Sequence, residues 1–167
     1  MRNLSFLILL LSLSFALETT AIVTKVTDGD TLHITVGKED VKIRILYIDT
    51  PEKYGGAKLD KDAKKAGIST KDEQDLGQLS SAYASKFFQK GDTVIINSDK
   101  KDQYGRTLGT VKKNGIDYST QIIKDGYACI YKKTKYPKEL DSVLQNAKDG
   151  KKGLWSINYE VMSKLCK

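Results

Sequence analysis

Thr27-Asp28-Gly29-Asp30-Thr31-Leu32-His33-Ile34-Thr35-Val36-Gly37-Lys38-Glu39-Asp40-Val41-Lys42-Ile43-Arg44-Ile45-Leu46-Tyr47-Ile48-Asp49-Thr50-Pro51-Glu52 is the stretch from which the rest of the chain can be placed. Residues 32–36 and 41–45 alternate apolar with polar side chains, the period of a half-buried strand. The polar turn Gly37-Lys38-Glu39-Asp40 joins them, which predicts a hairpin. Folding that hairpin sets Asp30, before its first strand, beside Asp49, after its second. Arg44 lies on the same ribbon, and a guanidinium offers a phosphate two parallel donors. Two carboxylates, a third at Glu52 and an arginine at one end of one hairpin read as a metal-and-phosphate site. The same residues are also ordinary turn chemistry, since Asp-Gly and Thr-Pro-Glu are common in turns and carboxylates at strand ends are usually solvated. The stretch alone leaves both readings open.

Upstream, residues 21–26 form a first strand that feeds the Asp28-Gly29 turn. Before it, Arg2 flanks a run at 4–15 that is apolar apart from serines. That run is short for a bilayer span, so residues 1–16 read as a cleaved signal peptide ending at Ser14-Phe15-Ala16, with Thr19-Thr20-Ala21 as the alternative cleavage site. The protein is therefore expected to be secreted, or held in a periplasm or at a cell surface. His33, the only histidine, sits mid-strand with no histidine partner and reads as a solvent-facing strand residue, not a catalytic base.

Downstream, residues 59–66 predict a short helix ended by Gly67. Thr70-Lys71-Asp72-Glu73 has capping-box spacing, and Leu76, Leu79, Tyr83 and Phe87 recur at helical intervals. One amphipathic helix is expected over 71–89, with Gly77 as its weak point and Gly91 as its stop. Strands follow at 93–96 and 107–112, separated by a polar turn at 99–105, and Asn114-Gly115 signals a further hairpin turn. Helices are expected at 118–124, stopped by Gly126, and at 138–148, with Leu140, Val143, Leu144 and Ala147 on one face. Five short strands with helices inserted and appended make an α+β chain built on a small barrel.

A length of 167 residues suits one domain with a real hydrophobic core. Lys and Arg number 28 against 21 Asp and Glu, a formal charge of +7 that favours polyanionic partners such as nucleic acid or an anionic membrane surface. With two cysteines, Cys129 and Cys166, no C-x-x-C pair and one histidine, a zinc site is excluded as a reading. An export leader with an even cysteine count points to one disulfide, two free thiols being the alternative.

Three motifs occur in order: Asp28-Gly29-Asp30-Thr31, then Arg44 to Glu52, then Asp102-Gln103-Tyr104-Gly105-Arg106. Together they resemble the staphylococcal nuclease (thermonuclease) family, over about residues 22–155. The resemblance implies a five-stranded OB-fold β-barrel with about three helices. It implies calcium (Ca2+) held by Asp30, Asp49 and the backbone carbonyl of Thr50, with waters completing the shell. Glu52 matches the glutamate that orients or deprotonates the attacking water, and Arg44 and Arg106 match the arginines that hold the scissile phosphate. Tyr104 matches a tyrosine that contacts a terminal phosphate. Tyr131 and Tyr136, among Lys132, Lys133 and Lys135, are candidates for stacking on bases, although direct register puts Lys132 at one expected tyrosine. Gln103 departs from the best-known member, which has lysine there. The segment between Pro51 and the long helix also looks longer than that member's. Asp28 is left to shape the turn.

With the leader, these matches imply a secreted calcium-dependent nuclease, active on DNA and RNA with little sequence preference and leaving 3′-phosphates; a monomer is expected. The rival is a catalytically inactive OB-fold nucleic-acid-binding module, against which all five of Asp30, Arg44, Asp49, Glu52 and Arg106 are retained. A basic surface adhesin would explain the charge and the leader but not the motifs. Residues 156–167 form a C-terminal tail beyond the resemblance, with apolar Ile157, Tyr159, Val161, Met162 and Leu165. A Cys129–Cys166 disulfide would staple that tail to the barrel and contribute roughly 3–4 kcal/mol. Because the acids lie on other segments, the staple is expected to serve stability more than catalysis.

Overall fold

The computed structural model describes residues 18–167; the leader read at 1–16 lies outside them. In chain order the strands are β1 (Glu18–Val26), β2 (Thr31–Val36), β3 (Glu39–Ile45), β4 (Ile48–Asp49), β5 (Thr93–Lys101), β6 (Thr107–Lys113), β7 (Ile116–Asp117) and β8 (Cys129–Ile130). The helices are α1 (Ala57–Ala66), α2 (Thr70–Phe87), α3 (Tyr118–Lys124), α4 (Glu139–Asp149), α5 (Leu154–Ile157) and α6 (Tyr159–Leu165).

Period-2 patterning in β2 and β3 buries Leu32, Ile34, Ile43 and Ile45, and each fully buried aliphatic side chain stabilises by roughly 1.5–3 kcal/mol. To bury them from both sides the sheet curls on itself. Its order is β3-β2-β1-β5-β6, antiparallel throughout, and it is closed by a parallel β3–β6 pairing from Ile43↔Thr107 to Ile45↔Gly109. This is the five-stranded OB-fold barrel of an α+β chain. Bulges between Val23 and Lys25 in β1 and between Ser98 and Lys100 in β5 give the extra twist that closure requires. Asn114 and Gly115, both at positive φ, turn β6 into β7.

Three differences from the expected elements carry information. First, the cap of α2 is Ser69, whose side chain accepts from Asp72 N, and not Thr70. Glu73 is thereby released from a capping box and is buried. Second, the buried face of α2 is Glu73, Leu76, Gly77, Ser80, Ser81 and Ala84, while Leu79 is exposed. The helix presents small residues so that it can lie close to the barrel mouth. Third, the described residues hold six helices where the resemblance implied about three: α1 answers the short helix expected at 59–66, and α5 and α6 follow α4 at the C-terminal end. α1 occupies the long segment after Pro51 and lies against α2 and α6.

The tail is part of the core. Its Val161, Met162 and Cys166 are buried, and Cys166 is bonded to Cys129 with their Cα atoms 5.1 Å apart. The acids lie on other segments than the two cysteines, yet one of them is the staple's neighbour. β8 pairs with β4, and Cys129 is the register partner of Asp49. Among the described residues no helix is long and apolar enough to cross a membrane.

Candidate active site

Register builds the site. In the β2–β3 ladder Thr31 faces Arg44, so Arg44 stands next to Asp30, and Ile45 N donates to Asp30 O at 2.8 Å. Beyond β3 the chain reverses at Tyr47, which takes a left-handed φ of 70°, and β4 returns with Asp49. Arg44 fastens this return. Its Nη1 donates to Ile45 O at 2.8 Å and its Nη2 to Ile48 O at 3.0 Å. The same Nη2 lies 3.1 Å from Asp30 Oδ2 and 3.3 Å from Asp49 Oδ1. One nitrogen within reach of both carboxylates means that they converge on one point. Thr50 closes the group, its N and Oγ1 donating to Asp30 Oδ2 at 3.3 and 3.1 Å. Gly29 is required for that approach, since a Cβ there would stand 2.6 Å from Thr50 Cγ2.

Glu52 is positioned by a helix that the motifs do not contain. Its backbone N donates to Glu73 Oε1 at 3.3 Å, and Glu73 is only 1% exposed. One turn later, a Cβ on Gly77 would meet the Glu52 carbonyl carbon and oxygen at 2.5 Å. The glycine that weakens α2 is what lets it lie against the Glu52-Lys53 peptide. Lys58, from α1, reaches the same acids. It pairs with the Glu52 carboxylate, lies 3.7 Å from Asp49 Oδ1 and is 3.0 Å from Asp62 Oδ2. Glu73 and Lys58 escape sequence reasoning because one resembles a cap residue and the other lies in a charged run. The glycine inside an otherwise regular helix is the one signal that could have exposed the α2 contact.

The second arginine and the tyrosines are distributed less evenly. Arg106 immediately precedes β6, two residues before Leu108, the register partner of Arg44. Its Nε pairs with Asp102 Oδ2 at 2.7 Å, and its guanidinium lies 5.6 Å from the Tyr104 ring. Tyr104 is 75% exposed, open to a ligand. Tyr131 is within the cluster, its ring centroid 5.9 Å from the Arg44 guanidinium and 5.8 Å from Lys133 Nζ. Tyr136 is turned to α4 instead, donating to Asp141 Oδ1 at 3.0 Å and packing against the core. His33 is half-buried between Lys25 and Lys42; burial and those charges lower its pKa, so it is neutral at physiological pH.

Electrostatics separate the acids. Burial works against ionisation of Asp30, but Arg44 and the Thr31, Asp28 and Thr50 hydrogen bonds hold its carboxyl below the usual range. Asp28, whose Oδ1 accepts from Asp30 N at 3.1 Å, is pushed up to about 7 by burial and by the Asp30 charge. Burial also raises Asp49, against the pull of Lys58. The donors at the convergence point are all oxygen, the chemistry a hard divalent cation takes. They are few: among the described residues no three His, Cys, Asp or Glu side chains are arranged to hold a metal ion. Asp30 and Asp49 are the two carboxylates gathered there, and Thr50 reaches Asp30 through its N and Oγ1.

The chain is thus a closed five-stranded OB-fold barrel with two acids and an arginine gathered at one place. Residues 42–157 match the family described as "Staphylococcal nuclease homologue", and the chain belongs to that family. It is 33% identical over 157 residues to the Bacillus subtilis protein named endonuclease YhcR, covering 87% of this chain but 12% of that protein. It is 34% identical to the uncharacterized protein MJ1439 of Methanocaldococcus jannaschii, covering 80% of this chain and 70% of that one. An uncharacterized endonuclease of Escherichia coli O157:H7 is 30% identical, with 80% and 75% covered. The family carries a nuclease-type function on nucleic acids, that is, hydrolase activity.

Proposed function

We propose that this chain is a secreted, monomeric, calcium-dependent nuclease that hydrolyses phosphodiester bonds in DNA and RNA and leaves 3′-phosphates. The observation that carries the reading is the single Arg44 nitrogen shared by Asp30 and Asp49: carboxylates for a cation and a guanidinium for a phosphate meet at one point. Asp30, Asp49 and the Thr50 carbonyl would hold the ion. Calcium bound there supplies positive charge beside the attacked phosphate. Glu52, fixed through its backbone by α2, orients a water and accepts its proton as the water oxygen attacks phosphorus. The bond from phosphorus to the 5′-oxygen breaks, the 5′-oxygen ends as a hydroxyl, and the phosphate stays on the 3′ side. Arg44 and Arg106 meet the charge that grows on the equatorial oxygens. Tyr131, beside Arg44 and Lys133, is better placed than Tyr136 to stack on a base, and exposed Tyr104 is free to reach a terminal phosphate.

The start of β1 bears on export. Residues Glu18 to Ile22 pair with β5, and Ala21 is buried. Cleavage after Ala16 leaves that ladder whole, whereas cleavage after Ala21 would remove most of it, which supports the earlier site. End-group analysis of cleaved single-stranded DNA and RNA tests the activity. Fragments whose 3′ ends need a phosphatase before they can be extended are expected. Retention of both polymers without cleavage would instead identify the inactive binding module.

A further inference from the structure

The segment between Pro51 and α2 delivers a lysine to the acids. Lys58 Nζ touches Glu52, lies 3.7 Å from Asp49 Oδ1 and contacts Asp62 one turn along α1. Its side chain is 53% exposed on the outer side, so it can leave without unpacking the core. α1 itself is anchored, because Leu59 and Ala63 are buried and the helix lies against α2 and α6. The lysine is thus a tethered cation on a seated helix, aimed at a site whose donors also suit a free one.

We propose that Lys58 competes with the divalent cation for this site and sets its affinity. The inference rests on the reading of Asp30 and Asp49 as a cation site. Two like charges cannot share Asp49 at close range without repulsion, so an ion that binds there displaces the ammonium toward solvent. Displacement also separates Lys58 from Glu52 and leaves that carboxylate free to face a water. Lys58 therefore lowers affinity for the ion and ties release of Glu52 to its arrival. Arg44 lies closer to both acids, but its guanidinium is also held by the carbonyls of Ile45 and Ile48, so it is a fixed background common to every variant while Lys58 can swing away.

Calorimetric titration with calcium chloride alone, without nucleic acid, tests the competition. Lys58→Met is expected to bind calcium roughly tenfold more tightly than the unaltered chain, and Lys58→Arg to remain near it. Lys71→Met removes the same charge from an exposed pair with Asp75 on α2 and is expected to leave affinity unchanged. Equal or weaker binding by Lys58→Met, or the same tightening in Lys71→Met, would overturn the proposal alone. No binding by any of the chains would overturn the cation site with it. On the unaltered protein, amine acetylation at Lys58 read by mass spectrometry is expected to rise when calcium is added. Unchanged labelling in a chain that binds calcium would also overturn the proposal.

Discussion

Arg44 makes four polar contacts that join the end of β3 to β4 and to Asp30. It therefore has a structural and a chemical role at once, and its removal must be compared with that of Arg106, which contacts only its own turn. Arg44→Ala and Arg106→Ala are each expected to lower kcat by about 10²-fold or more, with a smaller change in KM. A rise in KM with kcat intact would make both arginines mere binders. Glu73 gives a second test at this scale. Burial pushes its pKa from 4.5 up to about 7, so between those values the folded chain binds more protons than the unfolded one. Stability contributed by this group is then full at low pH, falls as pH rises through that window and levels off above it. Glu73→Gln removes the slope. Urea midpoints should favour the variant over the unaltered chain by roughly 1–3 kcal/mol at pH 8 and little at pH 4. Parallel pH profiles would contradict this account of Glu73.

The hairpin of β2 and β3 was legible because period-2 alternation with a four-residue polar turn has few other solutions. The turn at Asn114-Gly115 was legible because two consecutive positive-φ residues suit a tight hairpin. What escaped was set by contacts between elements distant in sequence. Glu73 lies 21 residues from the amide it holds, and α6 meets α1 although α2 to α5 lie between them in sequence. The disulfide shows the same limit, since pairing two cysteines does not reveal that β8 lies beside β4. Reduction of Cys129–Cys166 frees a loop spanning 37 residues in sequence and should lower stability by about 3–4 kcal/mol, a fall in Tm of about 10 °C. The β4–β8 ladder is made by backbone groups and should survive at 25 °C, so turnover there should fall by no more than about threefold. An unchanged melting temperature on reduction would contradict the staple.

At the scale of the molecule, the barrel brings together four separated pieces of sequence: the turn before β2, the β3–β4 return, the start of β6 and β8. Motif spacing captured the first three because each carries charged residues that need a chemical explanation. The insert with α1 resists that approach, since a run rich in lysine and aspartate reads as solvated surface until the fold sets Lys58 against Asp49. The formal charge of +7 coexists with a locally acidic mouth. That contrast fits a protein drawn to a polyanion yet needing a cation where the phosphate must sit. The most direct measurement is the rate of single-stranded DNA hydrolysis by purified mature protein, first with calcium and then with excess chelator. Cleavage that depends on calcium, stops on chelation and returns when calcium is restored is the predicted result; undiminished cleavage after exhaustive chelation would contradict it.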